Sequence, residues 1–407
     1  YNRRFKQYTQ EYRSEMEQES NQTGETKETN IEKLEQIYST TMTVHELKRR
    51  ILNLETSDEN KRVIFRKFEE MTSLDKRDDE YAKLLRWVNW AVDIPHDRIK
   101  KIVVDDHTVF IRQAKEKMDA ELFGMNSVKE QILLFLSAKL RNPDITHNNI
   151  ALVGPPGVGK TAIARLIAEI MDWGFAQISM GGAERPDFLR GHDYTYIGSA
   201  PGEIVKCIKR IGYKNGIIFL DEIEKISKNR DIKSVLLHLI DPTQNKEFRD
   251  FYLTDVTIDL SQMWWIGSMN SVPSDSALAD RWFIINVKGY SHREKEIIAS
   301  KYILPRSLRE YGIDEKNMIL PENSARLLID KVCRSTDMGV RTLQKNIRDL
   351  VVKVSFLVSH QNDDGEIPFD LSFKLKRKLS YPVTIKPDII NALMKSTQSE
   401  AVTMMYI

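Results

Sequence analysis

NIALVGPPGVGKTAIARLIAEIM, residues 149–171, decides how this chain is read. A short apolar run, NIALV, leads into a turn rich in glycine, and a helical pattern follows at once. Strand, glycine turn and helix in that order form the context that a phosphate-binding loop requires. Gly154, Gly157 and Gly159 let backbone N–H groups close around a phosphate, and the start of the helix adds a favourable dipole. Lys160 has the length to reach β- and γ-phosphates, and Thr161 offers a hydroxyl to Mg²⁺. The run Gly154, Pro155, Pro156, Gly157, Val158, Gly159, Lys160, Thr161 and Ala162 is therefore the expected nucleotide cradle.

Downstream, IIFLDEIEK (217–225) supplies a second half to such a site. Its apolar residues predict a buried strand, and Asp221 emerges at the carboxyl end, where ligands bind in open parallel sheets. The Asp221 carboxylate suits the Mg²⁺ shell beside Thr161, and Glu222 suits a general base that polarises attacking water. WWIGSMNS (264–271) ends another strand at Asn270, whose amide is placed to orient that water or simply to cap the strand. ALADRW (277–282) presents Arg281, either a surface ion pair or an arginine finger completing a neighbour's site in a ring.

The apolar runs NIALV (149–153), FAQIS (175–179), GIIFL (216–220) and WWIGSM (264–269) alternate with helical patterns. That alternation predicts an α/β fold, a parallel sheet covered by helices. The expected division is a helical arm over 1–115, the α/β nucleotide-binding part over 116–290 and a mostly helical part over 291–407. In the arm, ESNQTGETKETN (19–30) reads as a loop. Spacings of three and four predict helices carrying Val44, Leu47, Ile51 and Leu54; then Ile64, Phe68 and Met71; then Tyr81, Leu84, Leu85, Val88, Ala91 and Val92, closed by Pro95. SFKLKRKL (372–379) and PVTI (382–385) are expected to form a small strand pair.

Composition narrows the function classes. The 407 residues are 41% hydrophobic and 29% charged, with a formal net charge of +2. That is an ordinary globular mix, with no bulk charge favouring nucleic acid or membrane. Cys207 and Cys333 provide neither a disulfide framework nor a metal-ligand spacing, which points to a reducing compartment. No run has the length of a membrane span. The first residue is Tyr1, which leaves a targeting peptide open, so the compartment is read as cytoplasm or an organelle matrix. The loop TYIGSAPG (195–202) shows neither helical nor strand period, and its Tyr-Ile pair either packs back on the core or faces outward.

Taken in order, LFGMNSVKEQI, LVGPPGVGKT, ISMGG, RGHDYTYIGSAPG, FLDEIEK, LLHLIDPTQNKEF, SMNS, DRW, GYSHREKEIIASKYILPR and GVRTLQKNI resemble the AAA+ module of Lon-type ATP-dependent proteases, from roughly residue 80 to 360. The resemblance implies an AAA+ P-loop NTPase with a parallel sheet core, a helical lid domain and an N-terminal mostly helical arm. It implies ATP and Mg²⁺ as cofactors and a homo-oligomer, a hexameric ring acting on unfolded or degron-bearing protein. Carried over residue by residue, Phe123 and Gly124 match the adenine segment, Asn270 the first sensor and Arg281 the finger. Gly339, Val340 and Arg341 match the second sensor, with Arg341 at the phosphates. Tyr196, Ile197 and Gly198 match the pore loop that grips polypeptide.

WWIGSMNSVPS departs from the FIATANTLDTIP wording expected there and marks a divergent lineage. Lon proteases continue into a domain with a Ser-Lys dyad in a PKDGPSAG-like context, and no such stretch occurs in these residues. The chain is accordingly expected to be the motor part of an ATP-dependent protease, or a Lon-like remodeller acting alone or with a partner protease. A DNA-binding remodeller, resting on the basic runs LKRR (47–50) and FKLKRKL (373–379), and a nucleotide-dependent scaffold are weaker expectations.

Overall fold

The computed structural model describes residues 44–395 except 103, 144, 146, 147, 197, 229, 274, 363, 364, 366, 368–370 and 376. The loop expected over 19–30 and the pore-loop residue Ile197 therefore lie outside the described residues. The chain divides into two compact units, 1–92 and 93–407.

The first unit contains α1 (Val44–Leu52), α2 (Asp58–Ser73) and α3 (Asp79–Asp93). Ser57 caps α2 by accepting the Asn60 N–H at 3.2 Å. The buried stripes are Leu47 and Ile51, then Ile64, Phe68 and Met71, then Leu84, Trp87, Val88, Ala91 and Val92. Trp87 completes the third stripe at the helical spacing. Ile94 precedes Pro95, a position that disfavours helix, and α3 stops at Asp93.

In the second unit, α4 (His107–Glu121) and α5 (Asn126–Arg141) lead into β1 (Asn149–Val153) and α6 (Lys160–Met171). Then come β2 (Phe175–Ser179), α7 (Glu203–Ile211), β3 (Gly216–Asp221) and α8 (Arg230–Ile240). The short pair β4 (Phe248–Arg249) and β5 (Thr257–Ile258), β6 (Met263–Met269) and β7 (Phe283–Asn286) follow. The five-stranded sheet has the order β2-β3-β6-β1-β7, and its pairings are parallel. β1 and β6 are buried at every position, as strands covered on both faces must be. Ala114 and Met118 of α4 join the core under the sheet, so this unit begins before residue 116. Trp173 and Trp264 cross nearly perpendicular in the same core, ring centres 5.4 Å apart.

The remainder is mostly helical: α9 (His292–Ile298), α10 (Leu304–Glu310), α11 (Glu322–Val332), α12 (Arg341–His360) and α13 (Pro387–Leu393). Ser291 and Glu294 form a capping box at the start of α9. A π-helical turn, Ala299–Ile303, joins α9 to α10. Pro305 has no N–H to return to Lys301, and its ring crowds that carbonyl, so the helix widens just before it. PVTI does form a strand, but its partner differs from the expectation. β9 (Val383–Thr384) pairs parallel with β8 (Met318–Ile319), and the described part of 372–379 is not strand. Among the described residues no helix is long and apolar enough to cross a membrane.

Candidate active site

Three neighbouring strands deliver the polar groups of one cleft. β3, β6 and β1 lie side by side and end in Asp221, Asn270 and the glycine turn respectively. The register sets Val153 beside Met269 and Leu220 beside Gly267, so all three carboxyl ends open on the same edge. The cleft holds about 340 Å³ and is lined by Phe123, the loop from Pro156 to Ala162, Asp221, Glu222, Asn270 and Arg341. Glu224, Ser268, Tyr290 and Tyr302 line it too, and sequence reasoning passed over all four.

The phosphate loop turns through Gly159, whose φ of 99° is a conformation that side chains rarely adopt. α6 starts at the next residue, and its first turn presents Lys160, Thr161 and Ala162. The Lys160 ammonium is folded back on its own loop. It donates to the carbonyls of Gly154 (2.5 Å) and Pro155 (3.1 Å) and to Asn270 Oδ1 (3.2 Å). Burial lowers its pKa, and the nearby Glu224 and Asp221 carboxylates oppose that shift.

Asp221 accepts from the Ser268 hydroxyl at 2.8 Å and from Gln177 Nε2 at 3.3 Å. Both contacts fix the carboxylate and leave acceptor capacity on each oxygen. The oxygen-only pair of Thr161 and Asp221 fits a hard, oxygen-seeking cation such as Mg²⁺. Glu222 occupies the left-handed region at φ 61°, a conformation that costs free energy and here turns the side chain out of the strand line. Its carboxylate is half-exposed and pairs with Lys225 at 2.7 Å.

The lid meets the loop through the Gly339–Arg341 segment. The Val340 N–H donates to the Gly157 carbonyl at 2.9 Å, and a methyl group on Gly339 would collide with the Pro156 carbonyl oxygen. Arg341, first residue of α12, thus borders the phosphate end, and no ion pair holds its guanidinium among the described residues. Phe123 packs on the lid core and meets Tyr302 edge-to-face at 6.0 Å, with Tyr302 on the π turn. The Tyr290 hydroxyl donates to the Val158 carbonyl at 3.3 Å, and burial pushes its pKa up to about 12.

Four residues expected at this cleft are outside its lining, and of these Gly154 and Pro155 are tied to it through the carbonyls that accept from Lys160. Gly124, at φ 63°, is outside the lining. Arg281 is also outside it: its guanidinium pairs with Asp241 at 2.8 Å and donates to the Ala277 carbonyl at 2.8 Å. The Thr243 hydroxyl and Arg281 together lower the Asp241 pKa to about 2.

Tyr196 is 70% exposed at the tip of a tight loop. Asp193 builds the turn, accepting the Thr195 N–H at 2.9 Å and its hydroxyl at 2.8 Å. Gly198 follows at φ 81°. At the neck of the loop the fully buried Asp250 accepts the N–H groups of Gly202 and Tyr252, each at 2.9 Å. A methyl group on Gly202 would collide with the Leu189 carbonyl oxygen, so the two segments of the neck cross only because that residue has none.

The ATPase family associated with various cellular activities (AAA) matches residues 150–287, the span from β1 through β7. The chain is a P-loop ATPase of that class, an ATP hydrolase. Its relatives narrow the class further. It is 35% identical over 69% of its length to the peroxisomal Lon protease homolog 2 of Zea mays, covering 31% of that protein. It is 32% identical over 79% of its length to the Lon protease of Nitratidesulfovibrio vulgaris, covering 38% of it. For Lon protease 1 of Syntrophotalea carbinolica the figures are 33%, 76% and 37%. The chain carries a Lon-type AAA+ module, and it spans roughly a third of the length of these relatives.

Proposed function

We propose that this chain is an ATP-driven polypeptide translocase, the motor of an ATP-dependent protease, working as a homo-oligomeric, hexameric ring. One observation carries the reading: the same fold holds an ATP cleft and, on a separate anchored loop, an exposed tyrosine whose side chain has no partner among the described residues. A tyrosine ring offers a broad apolar face that packs against many side chains, which suits a grip on unfolded chain of any sequence.

Hydrolysis follows from the groups in the cleft. Lys160 leaves its loop carbonyls for the phosphates, and Arg341 adds positive charge from the lid. Thr161 and Asp221 would hold a Mg²⁺ ion, which would supply further positive charge for the phosphate oxygens. Glu222 takes a proton from the attacking water, and Asn270 orients that water. Phe123 flanks the base. Arg281, which lines no part of its own chain's cleft, acts in the neighbour's site after leaving Asp241.

The DNA reading gains no support. Within LKRR, Lys48 lies over the Phe65 ring and Arg49 pairs with Glu46; within FKLKRKL, Arg377 pairs with Asp388. The test is a tagged, folded substrate with ATP. Tyr196→Ala is expected to hydrolyse ATP at close to the normal basal rate while failing to unfold the substrate. Unfolding at the wild-type rate would remove the loop from the mechanism.

A further inference from the structure

Asn270 is held from both ends by opposite charges. Its Oδ1 accepts from the Lys160 ammonium at 3.2 Å, and its Nδ2 donates to Glu224 Oε1 at 2.6 Å. An ammonium has only donors and a carboxylate only acceptors, so a single orientation of the amide satisfies both. Glu224 sits on the short 3-10 helix Ile223–Lys228, fastened by the buried Ile223 and Ile226. Its second oxygen, Oε2, is buried and meets no donor among the described residues. The carboxylate therefore keeps unused acceptor strength beside the amide, which favours a short bond to Nδ2.

We propose that Glu224 is a positioning residue for ATP hydrolysis, acting through Asn270: it holds the amide by Nδ2 so that Oδ1 stays turned to the reacting side of the cleft. The inference rests on the hydrolytic roles given above to Glu222 and Asn270. The need for such a holder arises during the reaction. When Lys160 turns to the phosphates, Oδ1 loses its donor, and that half of the clamp is gone. Glu224 remains and prevents the amide from flipping. Oδ1 is then free to accept one O–H of the attacking water while Glu222 accepts the other. With both hydrogens held, a lone pair of the water faces phosphorus. A flipped amide would offer N–H in place of an acceptor and compete with the phosphate for the same water oxygen.

The experiment is a cycle of four proteins, wild type, Glu224→Ala, Asn270→Ala and the double variant, with kcat, KM and nucleotide affinity measured for each. Losing a hydrogen bond to a charged group is expected to lower kcat by about tenfold in each single variant, with KM and affinity unchanged. The double variant is expected to match Asn270→Ala, because Glu224 has nothing left to position. Multiplied losses in the double variant would overturn the proposal and give Glu224 a direct part. So would a normal kcat for Glu224→Ala. Normal turnover by Asn270→Ala would instead overturn the role of Asn270 itself, and with it the inference. Glu224→Gln covers the case where the alanine variant fails to fold. It keeps an acceptor for Nδ2, so most of the turnover is expected to survive; a collapse as deep as that of Glu222→Gln would contradict a positioning role.

Discussion

The phosphate loop and the tyrosine loop are both short, glycine-dependent connections, yet they distribute charge in opposite ways. In the first, charged and polar side chains meet one another around an open cleft: Lys160 with Asn270, Asn270 with Glu224, and Glu222 with Lys225 beside it. An incoming phosphate can draw Lys160 away from Asn270, while Glu224 keeps its hold on the amide. In the second, the charge is buried at the base, where Asp250 gathers backbone N–H groups, and an aromatic ring is left at the tip. Glycine serves a different end in each loop. Gly159 supplies a backbone angle, with nothing within 4 Å of the place a methyl group would take, whereas Gly202 supplies room for two chain segments to touch. One loop is built to exchange partners and the other to keep them.

The comparison breaks most visibly at Glu222, the proposed general base. Glu222→Gln is expected to lower ATP turnover by about 10²-fold or more while nucleotide binding persists, in steady-state turnover and equilibrium binding measured side by side. Equal loss of both would mean that Glu222 holds the site together rather than acting in the chemical step. A smaller effect is expected at the neck of the tyrosine loop. Gly202→Ala forces a methyl against the Leu189 carbonyl and is expected to cost about 1–3 kcal/mol, read as a lower denaturation midpoint. An unchanged midpoint would show that the neck yields without penalty.

The smallest effect concerns pH. Burial pushes the Asp250 pKa from 3.8 up to about 7, against the pull of its backbone N–H partners. The folded chain then keeps a proton that the unfolded chain has already lost, so this group's stabilisation declines as pH rises from 3.8 to about 7. Asp250→Asn, which does not titrate, is expected to flatten that part of the midpoint-against-pH curve. Parallel curves for variant and wild type would show that Asp250 is not the group responsible.

Much of the ATP cleft was legible in the sequence because its chemistry is local: strand, glycine turn and helix lie within 149–171, and DE follows a buried run directly. The edge strand β7 was not legible, since FIIN is too short to show a period. The pairing of β9 with β8 was lost for another reason: the strands are two residues each and far apart in sequence, so the nearer basic run looked the better partner. Glu224 and Tyr302 escaped because each matters through a contact that only the fold creates, one with Asn270 and one with Phe123. A signal for Glu224 was present in DEIEK, where a third carboxylate follows the first two within three residues. Asp250 carried no signal at all, since an aspartate between arginine and phenylalanine reads as surface until the neck closes over it.

The most direct test of the central claim is ATP turnover measured alone, with a permanently unfolded polypeptide, and with duplex DNA, on wild type and Tyr196→Ala. A polypeptide translocase is expected to speed up with the unfolded chain and not with DNA, and to lose that stimulation without the tyrosine. Stimulation by DNA with none from polypeptide would contradict the account.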